Sequence, residues 1–449
     1  MNNAPLFSYK RVGSLVRLLN GHPFDSTNFH HEGMPLVRIR DIGKTKTELS
    51  YRGDFPSTAL ITTKDVLVGM DGDFNIGRWK GNTAALLNQR CLALRHSDTI
   101  ILNYLEYLLP KHLQEINDLT YATTVKHLSS SQVAKLRVFV PEERNLLLKV
   151  VAFLNRETAK IDSLIAKQER LIELIQENQQ AVISRAITKG LDSNVKMKVS
   201  GIGWLGDVPE HWVITKIKYI KSPSANSFVD GPFGSNLKSE HFVEDGEVLV
   251  IESNFATTGN LFEQELKKIS QQHFETIKRS EVSAGDIVIA KIGARFGSAA
   301  ILPPLSKQAV VSGNSLKLNS CDRLTSNRWI VRQLNWLKWV GQIDLLVNGS
   351  AQPALSLGGM NTLVTLLPPI KEQSTILDYI EEKENQFRLL MDKAITSIKL
   401  LKEHRQALIS AAVTGEIDVG NLVTDEEVAM LERASESELN IGEATGDEE

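Results

Sequence analysis

Two stretches of this chain, 141–192 and 368–418, each run nearly forty residues without glycine or proline. Their ends read almost in parallel. Residues 177–192 are ENQQAVISRAITKGLD and residues 403–418 are EHRQALISAAVTGEID, with Ser184 and Ser410 in register 226 residues apart. In the first copy Leu147, Leu154, Ile161, Ile175 and Val182 fall on a seven-residue grid, with Leu164, Ile165, Leu171 and Ile172 beside it. In the second, Ile380, Phe387, Ala394, Leu401 and Leu408 keep the same spacing, with Leu390, Met391 and Ile398 beside them. An apolar seam repeating every seven residues needs a partner helix. Forty helical residues span about 60 Å, more than a small globular core can cover. The expected partner of each copy is the other, in an antiparallel coiled coil. The alternative, two ordinary core helices in separate domains, fits less well with the long absence of helix breakers.

An internal repeat of this size governs the rest of the reading. At 449 residues the chain holds more than one domain. Each long helix follows a mixed region, 1–140 and 201–367, in which short β-rich runs such as 35–39, 59–62 and 65–68 alternate with Gly-rich turns. A helix is expected over 103–114, and 193–200 (SNVKMKVS) reads as a polar linker. The mixed regions echo each other in order: His22-Pro23-Phe24 with Gly231-Pro232-Phe233, 64–69 with 285–290, Asn88-Gln89 near Gly313-Asn314, and 124–129 with 351–356. The expected class is therefore α+β: two mixed α/β domains and two long helices in a pseudo-twofold repeat. The helices agree far better than the domains, as expected of similar scaffolds presenting different surfaces.

The net charge of −3 is misleading, because ten acids and one base, Arg433, fall after residue 424. Without them the body has 50 basic and 44 acidic residues, a net +6. The segment 419–449 is expected to be an acidic, disordered tail. A mildly basic body is compatible with nucleic acid. There is no run of about 18 apolar residues to span a membrane. The first residues, MNNAPLFSYKR, lack the apolar core of a signal peptide. Cys91 and Cys321 form neither a disulfide framework nor a metal spacing. A cytoplasmic location fits these features.

Catalytic motifs are missing. The chain has no GxxxxGK[ST], no HExxH and no Asn/Asp-Pro-Pro-aromatic motif of amino-methyltransferases. Residues 201–206 (GIGWLG) match GxGxxG but follow a Lys-rich linker and precede Asp207-Val208-Pro209, so a turn is the better reading. His30, His31 and Glu32, with His22 nearby, read as solvated loop residues, since adjacent side chains point to different faces. Trp329, Trp336 and Trp339 keep helical spacing and read as core before base-stacking platform. No catalytic, metal or cofactor site is expected.

Basic and amide residues in Gly-bounded loops are more informative. Arg38, Arg40, Lys44 and Lys46 flank Gly43; Arg78 and Lys80 flank Trp79; Lys238 follows Asn236; Lys291 and Arg295 border Gly293. With Asn254 these are the candidate DNA contacts. Arginine reads guanine bidentately, asparagine reads adenine, and lysine mostly meets phosphate. For any one of them, an ordinary solvated charge is an equally good account.

Four segments carry a family resemblance: 203–212 (GWLGDVPEHW), 367–373 (LPPIKEQ), 405–415 (RQALISAAVTG) and 180–190. With them the chain resembles the specificity (S) subunit of type I restriction-modification systems, over residues 3 to about 420. It departs where the first domain opens near Phe7-Ser8-Tyr9-Lys10 without the GWLG element, and where the first helix enters through Pro141-Glu142-Glu143-Arg144-Asn145. The resemblance implies two target recognition domains, each reading half of a bipartite sequence in double-stranded DNA. It implies helices that separate them and bind two methyltransferase subunits, with restriction subunits an optional addition. Such a subunit is non-catalytic; S-adenosylmethionine, Mg and ATP belong to its partners. The competing reading is a duplicated coiled-coil adaptor whose mixed domains bind proteins. A self-sufficient restriction enzyme would need motifs that this sequence lacks.

Overall fold

The computed structural model describes residues 6–119, 126–347 and 354–443. The chain divides into two compact units, Met1–Arg170 with Ala394–Glu449, and Leu171–Lys393. Both dividing points fall inside long helices: the central helix, Arg144–Lys189, of 46 residues, and the distal helix, Ile370–Val413, of 44. Each stops at a glycine in the left-handed region, Gly190 at φ 70° and Gly415 at φ 75°, which a Cβ disfavours. Each stop also abuts an aromatic ring. A Cβ on Gly415 would come within 2.9 Å of Phe7, and one on Gly190 within 3.3 Å of Trp212. Phe7 opens the strand Phe7–Arg11, and Trp212 immediately precedes the strand Val213–Lys216.

The two long helices pack together, and their seam follows the seven-residue grid with a refinement. Leu147, Leu154, Ile161 and Ile175 are buried, and Val182 is partly so; Gln168 holds the remaining grid position. The second row of the seam lies four residues on: Val151, Thr158, Ile165, Ile172 and Ala186 are buried or partly buried. The distal helix does the same with Ile380, Phe387 and Ala394 buried, Leu401 and Leu408 partly buried, and Met391, Ile398 and Arg405 four residues on. Leu171 does not belong to the seam. It lies three residues from the grid and is 43% exposed, as Leu164 and Leu390 also face outward. A fully buried Leu or Ile contributes about 1.5–3 kcal/mol, so the grid residues outweigh any surface ion pair. In the first unit Arg405 forks onto Asp162 at 2.9 and 3.3 Å. In the second, Ile187, Trp212, Ile376 and Ile380 share one core.

The mixed regions are copies in topology. In the first unit a four-stranded antiparallel sheet runs Arg17–Asn20, Cys91–Arg95, Val66–Gly69, Ile76–Arg78. In the second the order is Phe228–Asp230, Ser315–Leu318, Ile287–Ala290, Ala299–Ile301. A second sheet in each contains one parallel pair, Met34–Val37 with Ala85–Leu87 and Val248–Ile251 with Gln308–Val311. Buried carboxylates hold equivalent turns: Asp65 accepts the Thr62 N–H at 2.8 Å and Asp286 that of Ser283 at 2.9 Å. Ser129 and Ser356 each cap a short helix, Ser130–Lys135 and Leu357–Thr362. Of the matched segments 124–129 and 351–356, residues 124, 125 and 351–353 lie outside the described residues.

Three expectations change. The helix expected over 103–114 runs Thr99–Leu119, because Asp98 accepts the Ile100 N–H upstream and Pro110 does not end it. The linker 193–200 contains a strand, Met197–Val199, paired with Asp207–Pro209, so the GxGxxG match is a hairpin turn. Of the tail expected to be disordered over 419–449, Asp425–Glu443 is instead a helix, and 444–449 lie outside the described residues. A capping box starts it: the Thr424 hydroxyl accepts the Glu427 N–H at 3.3 Å, and Glu427 accepts the Thr424 N–H at 2.8 Å. Val419, Val423 and Val428 join the core, and Arg156 binds Glu427 at 2.7 Å. Asp425, Glu427 and Glu432 are met by Lys149, Arg156 and Arg144 of the central helix.

The opener and the PPIKEQ segment, far apart in sequence, close on each other. His211 Nε2 lies 2.7 Å from Glu372 Oε2, and the Trp212 indole donates to Glu372 Oε1 at 3.0 Å. Gln373 is buried and accepts from the Thr325 hydroxyl at 3.0 Å while donating to Pro368 O at 2.9 Å. These signatures are a clasp at the start of the distal helix. Among the described residues no helix is long and apolar enough to cross a membrane.

Candidate nucleic-acid interface

In the first unit the strand Met34–Val37 delivers the chain into a loop pinned by buried Asp41, which accepts the Arg38 N–H at 3.1 Å and the Glu48 N–H at 3.3 Å. The Gly43 N–H donates to Arg78 O at 3.0 Å and the Lys80 N–H to Lys44 O at 3.1 Å, which ties the 78–83 loop alongside. Lys44, Lys46 and Lys80 are exposed, and among the described residues no partner engages their side chains. Arg40 is 64% exposed and shares Glu48 with Arg38, at 3.0 and 2.7 Å. The result is two adjoining loops rich in cations, with Glu48 and buried Asp41 as the carboxylates that engage them. Lysines left unpaired beside each other repel, and a polyanion relieves that repulsion.

Two candidates in this unit point elsewhere. Arg78 turns inward, donating to Glu106 at 2.7 Å, Asn103 at 2.6 Å and Lys64 O at 3.1 Å. It ties a strand to a helix and is not free to read a base. Arg38 is largely covered by its two carboxylates. The sequence could not distinguish these from Arg40, because the distinguishing acids lie up to 28 residues away.

In the second unit a cleft of about 490 Å³ is walled by Phe233, Asn254, Lys291, Ser312 and Asn314. Asn254 opens onto it from the helix Ser253–Thr258, its side-chain oxygen accepting the Phe255 N–H at 2.7 Å. Asn236 and Lys238 are exposed on either side of Leu237, which also lines the cleft. The Arg295 guanidinium donates to Thr257 O at 3.3 Å, at the far end of the Asn254 helix. The structure thus brings Asn236, Lys238, Asn254, Lys291 and Arg295 to one region. Lys291 departs from the expectation of a solvated loop charge: it is buried, and burial holds its ammonium below the usual lysine range against the opposing pull of Asp230. Phe233 and Asn314 were not singled out as candidates; the one available signal was the Gly231-Pro232-Phe233-Gly234 turn, which exposes an aromatic ring.

The remaining motifs are structural. Trp329 and Trp336 are core residues, donating to Leu366 O at 2.7 Å and Ser184 Oγ at 2.9 Å, while Trp339 is half-exposed. Glu32 pairs with Arg52 at 2.7 Å, and His22 meets the Phe24 ring edge-on.

No family model matches the chain. Among curated proteins, it is 27% identical over 421 residues to the type I restriction enzyme EcoBI specificity subunit of Escherichia coli, covering 90% of this chain and 85% of that one. It is 20% identical over 433 residues to the MjaVIII specificity subunit of Methanocaldococcus jannaschii, covering 92% and 93%. Among solved structures, a chain from a study of type I R-M complex assembly and conformational transition superposes with a TM-score of 0.68 at 15% identity, over 92% of this chain and 99% of that one. The HsdS subunit from Thermoanaerobacter tengcongensis gives 0.52 at 15% identity, over 92% and 98%. In sequence and in fold the chain resembles type I specificity subunits along nearly its whole length.

Proposed function

From that likeness we propose that this chain is the DNA-recognition subunit of a type I restriction-modification complex, which reads a bipartite target and scaffolds two adenine methyltransferase subunits. The observation that carries the reading is the duplication itself: one topology built twice, each copy rooted in the long helices and each bearing its own cluster of cations and amides. Two similar halves suit two copies of one partner. The outward leucines Leu164, Leu171, Leu174, Leu389, Leu390 and Leu400 give the long helices an apolar surface for those partners. The chain itself supplies recognition; methyl transfer, with its S-adenosylmethionine, belongs to the modification subunits.

Each unit docks loops against the major groove. In this reading Lys44, Lys46 and Lys80 meet phosphates, while Arg40 and Arg295 read base edges. Single-molecule sequencing of methylated adenine in the native host, with and without this gene, tests the reading. Loss of methylation at one split motif supports it. An unchanged methylome, together with failure to co-purify with a methyltransferase, would favour the protein-binding adaptor. Inserting four residues at Gln176 adds about 6 Å of helix and should lengthen the gap by one or two base pairs at about 3.4 Å each. Arg40→Ala and Arg295→Ala should each alter preference in one half-site only; equal loss on unrelated DNA would make them phosphate contacts.

A further inference from the structure

The two units provide an internal control for each other. Directly after the strand Val66–Gly69 the first unit places Met70, and directly after its counterpart Ile287–Ala290 the second places Lys291. The backbone around them is the same: the Met70 N–H donates to Arg90 O at 2.9 Å and its carbonyl accepts from Leu128, while the Lys291 N–H donates to Asn314 O at 2.9 Å and its carbonyl accepts from Leu355. Both side chains are buried, at 7% and 6% exposure. The first unit shows that an apolar side chain fulfils this slot, so packing does not call for a lysine.

The ammonium of Lys291 is buried and, among the described residues, makes no hydrogen bond. Its nearest carboxylate, on Asp230, stands 3.8 Å away and is engaged by Arg279 at 2.5 Å. The Phe233 ring lies 3.6 Å from Lys291 Nζ, and is itself 55% exposed at the mouth of the cleft. A buried cation held by one ring face lacks the donors' partners that its cost requires. Asn254 and Asn314 add amide groups to the same walls.

We propose that Lys291 is a DNA contact of the second unit, its ammonium taking a negatively polarised oxygen of the duplex, a backbone phosphate oxygen or guanine O6. The first unit, with Met70 in the slot, has no counterpart. This rests on the DNA-recognition reading above. The experiment uses the chain assembled with its modification subunits, as wild type and as Lys291→Met, the side chain that the first unit accommodates. Binding is measured over a range of salt to a duplex carrying the motif found by methylome sequencing and to an unrelated duplex. Lys291→Met should weaken cognate binding at least about tenfold. A phosphate source gives similar loss on unrelated DNA and lowers the salt slope by about 0.9. A guanine source confines the loss to the cognate duplex and relaxes one base in one half-site. Circular dichroism and thermal unfolding check the fold, and Lys291→Leu repeats the test with a second apolar side chain. If folded variants bind both duplexes within about twofold of a wild type that recognises its motif, the inference is overturned while the function stands. A wild-type complex that binds no DNA overturns both.

Discussion

In the first unit the distal helix stops against Phe7, a ring with no polar atom; in the second the central helix stops against Trp212, whose indole is tied to Glu372. The same contrast recurs inside the domains. A strand carbonyl next to the long helix accepts from Tyr104 in one unit, at Phe139 O, and from Trp329 in the other, at Leu366 O. Asp65 binds Arg95 at 2.6 Å where Asp286 binds Lys317 at 3.1 Å. The backbone requirement is retained and the side chain that meets it differs. A duplicated scaffold can therefore lose most of its sequence likeness in the domains without losing topology. Surface loops, which carry no such requirement, diverge furthest, and that is where the candidate DNA contacts lie.

The largest effect expected from breaking this comparison is at the buried aromatic anchors. Trp329→Ala and Tyr104→Ala should each cost about 3–5 kcal/mol by cavity formation and loss of the donor to the strand carbonyl. Denaturant unfolding with amide exchange reads this, and a cost near 1 kcal/mol would remove the anchors from the account. Next come the helix stops. Gly415→Ala meets the Phe7 ring at 2.9 Å, whereas Gly190→Ala finds 3.2 Å to the Glu372 carboxylate and 3.3 Å to Trp212. Both add the left-handed penalty of about 1–2 kcal/mol, and the closer approach, 2.9 Å against 3.2 Å, makes Gly415→Ala the costlier by unfolding midpoint.

A smaller effect sharpens the contrast between loops. Glu48→Ala frees Arg40 and leaves Arg38 with Asp41 alone in the first unit, and should strengthen binding to unrelated DNA a few-fold with a steeper salt slope. Fluorescence anisotropy over a salt series would detect it; a flat response would place the 38–48 loop away from DNA. The smallest concerns the terminal helix, which has no counterpart in the second unit. The Thr424 N–H, then Arg156, hold the Glu427 carboxyl below its usual value of 4.5. A carboxylate with a depressed folded-state value stabilises above 4.5 and loses that stabilisation as pH falls through the lower folded value. Amide protection over 425–443 should therefore drop below pH 4.5 in wild type, and Glu427→Gln should already lack that increment at neutral pH.

Much was legible from order and spacing. Seven-residue periodicity and the absence of helix breakers determined the two long helices, and parallel endings determined the duplication, because both are properties of residues close in sequence. Even so, periodicity placed Leu171 in the seam. A grid with neighbours on both sides does not say which side faces the partner; packing chose the row four residues on, with Ile172 in and Leu171 out. The terminal helix was hidden for a similar reason. Ten acids dominate the count after residue 424, but the bases that meet Asp425 and Glu427, Lys149 and Arg156, lie in the central helix.

Among the candidate contacts the sequence chose residue types and loops, while tertiary structure decided roles. It turned Arg78 inward onto Glu106 and Asn103, covered Arg38 with Asp41 and Glu48, and, among the described residues, left Lys44, Lys46 and Lys80 without side-chain partners. It also buried Lys291 where Met70 shows that burial needs no charge. The physical reason is common to all of these. A charge is defined by what surrounds it, and for Arg78 and Lys291 those surroundings arrive from elements distant in sequence, while Arg38 is met within its own loop.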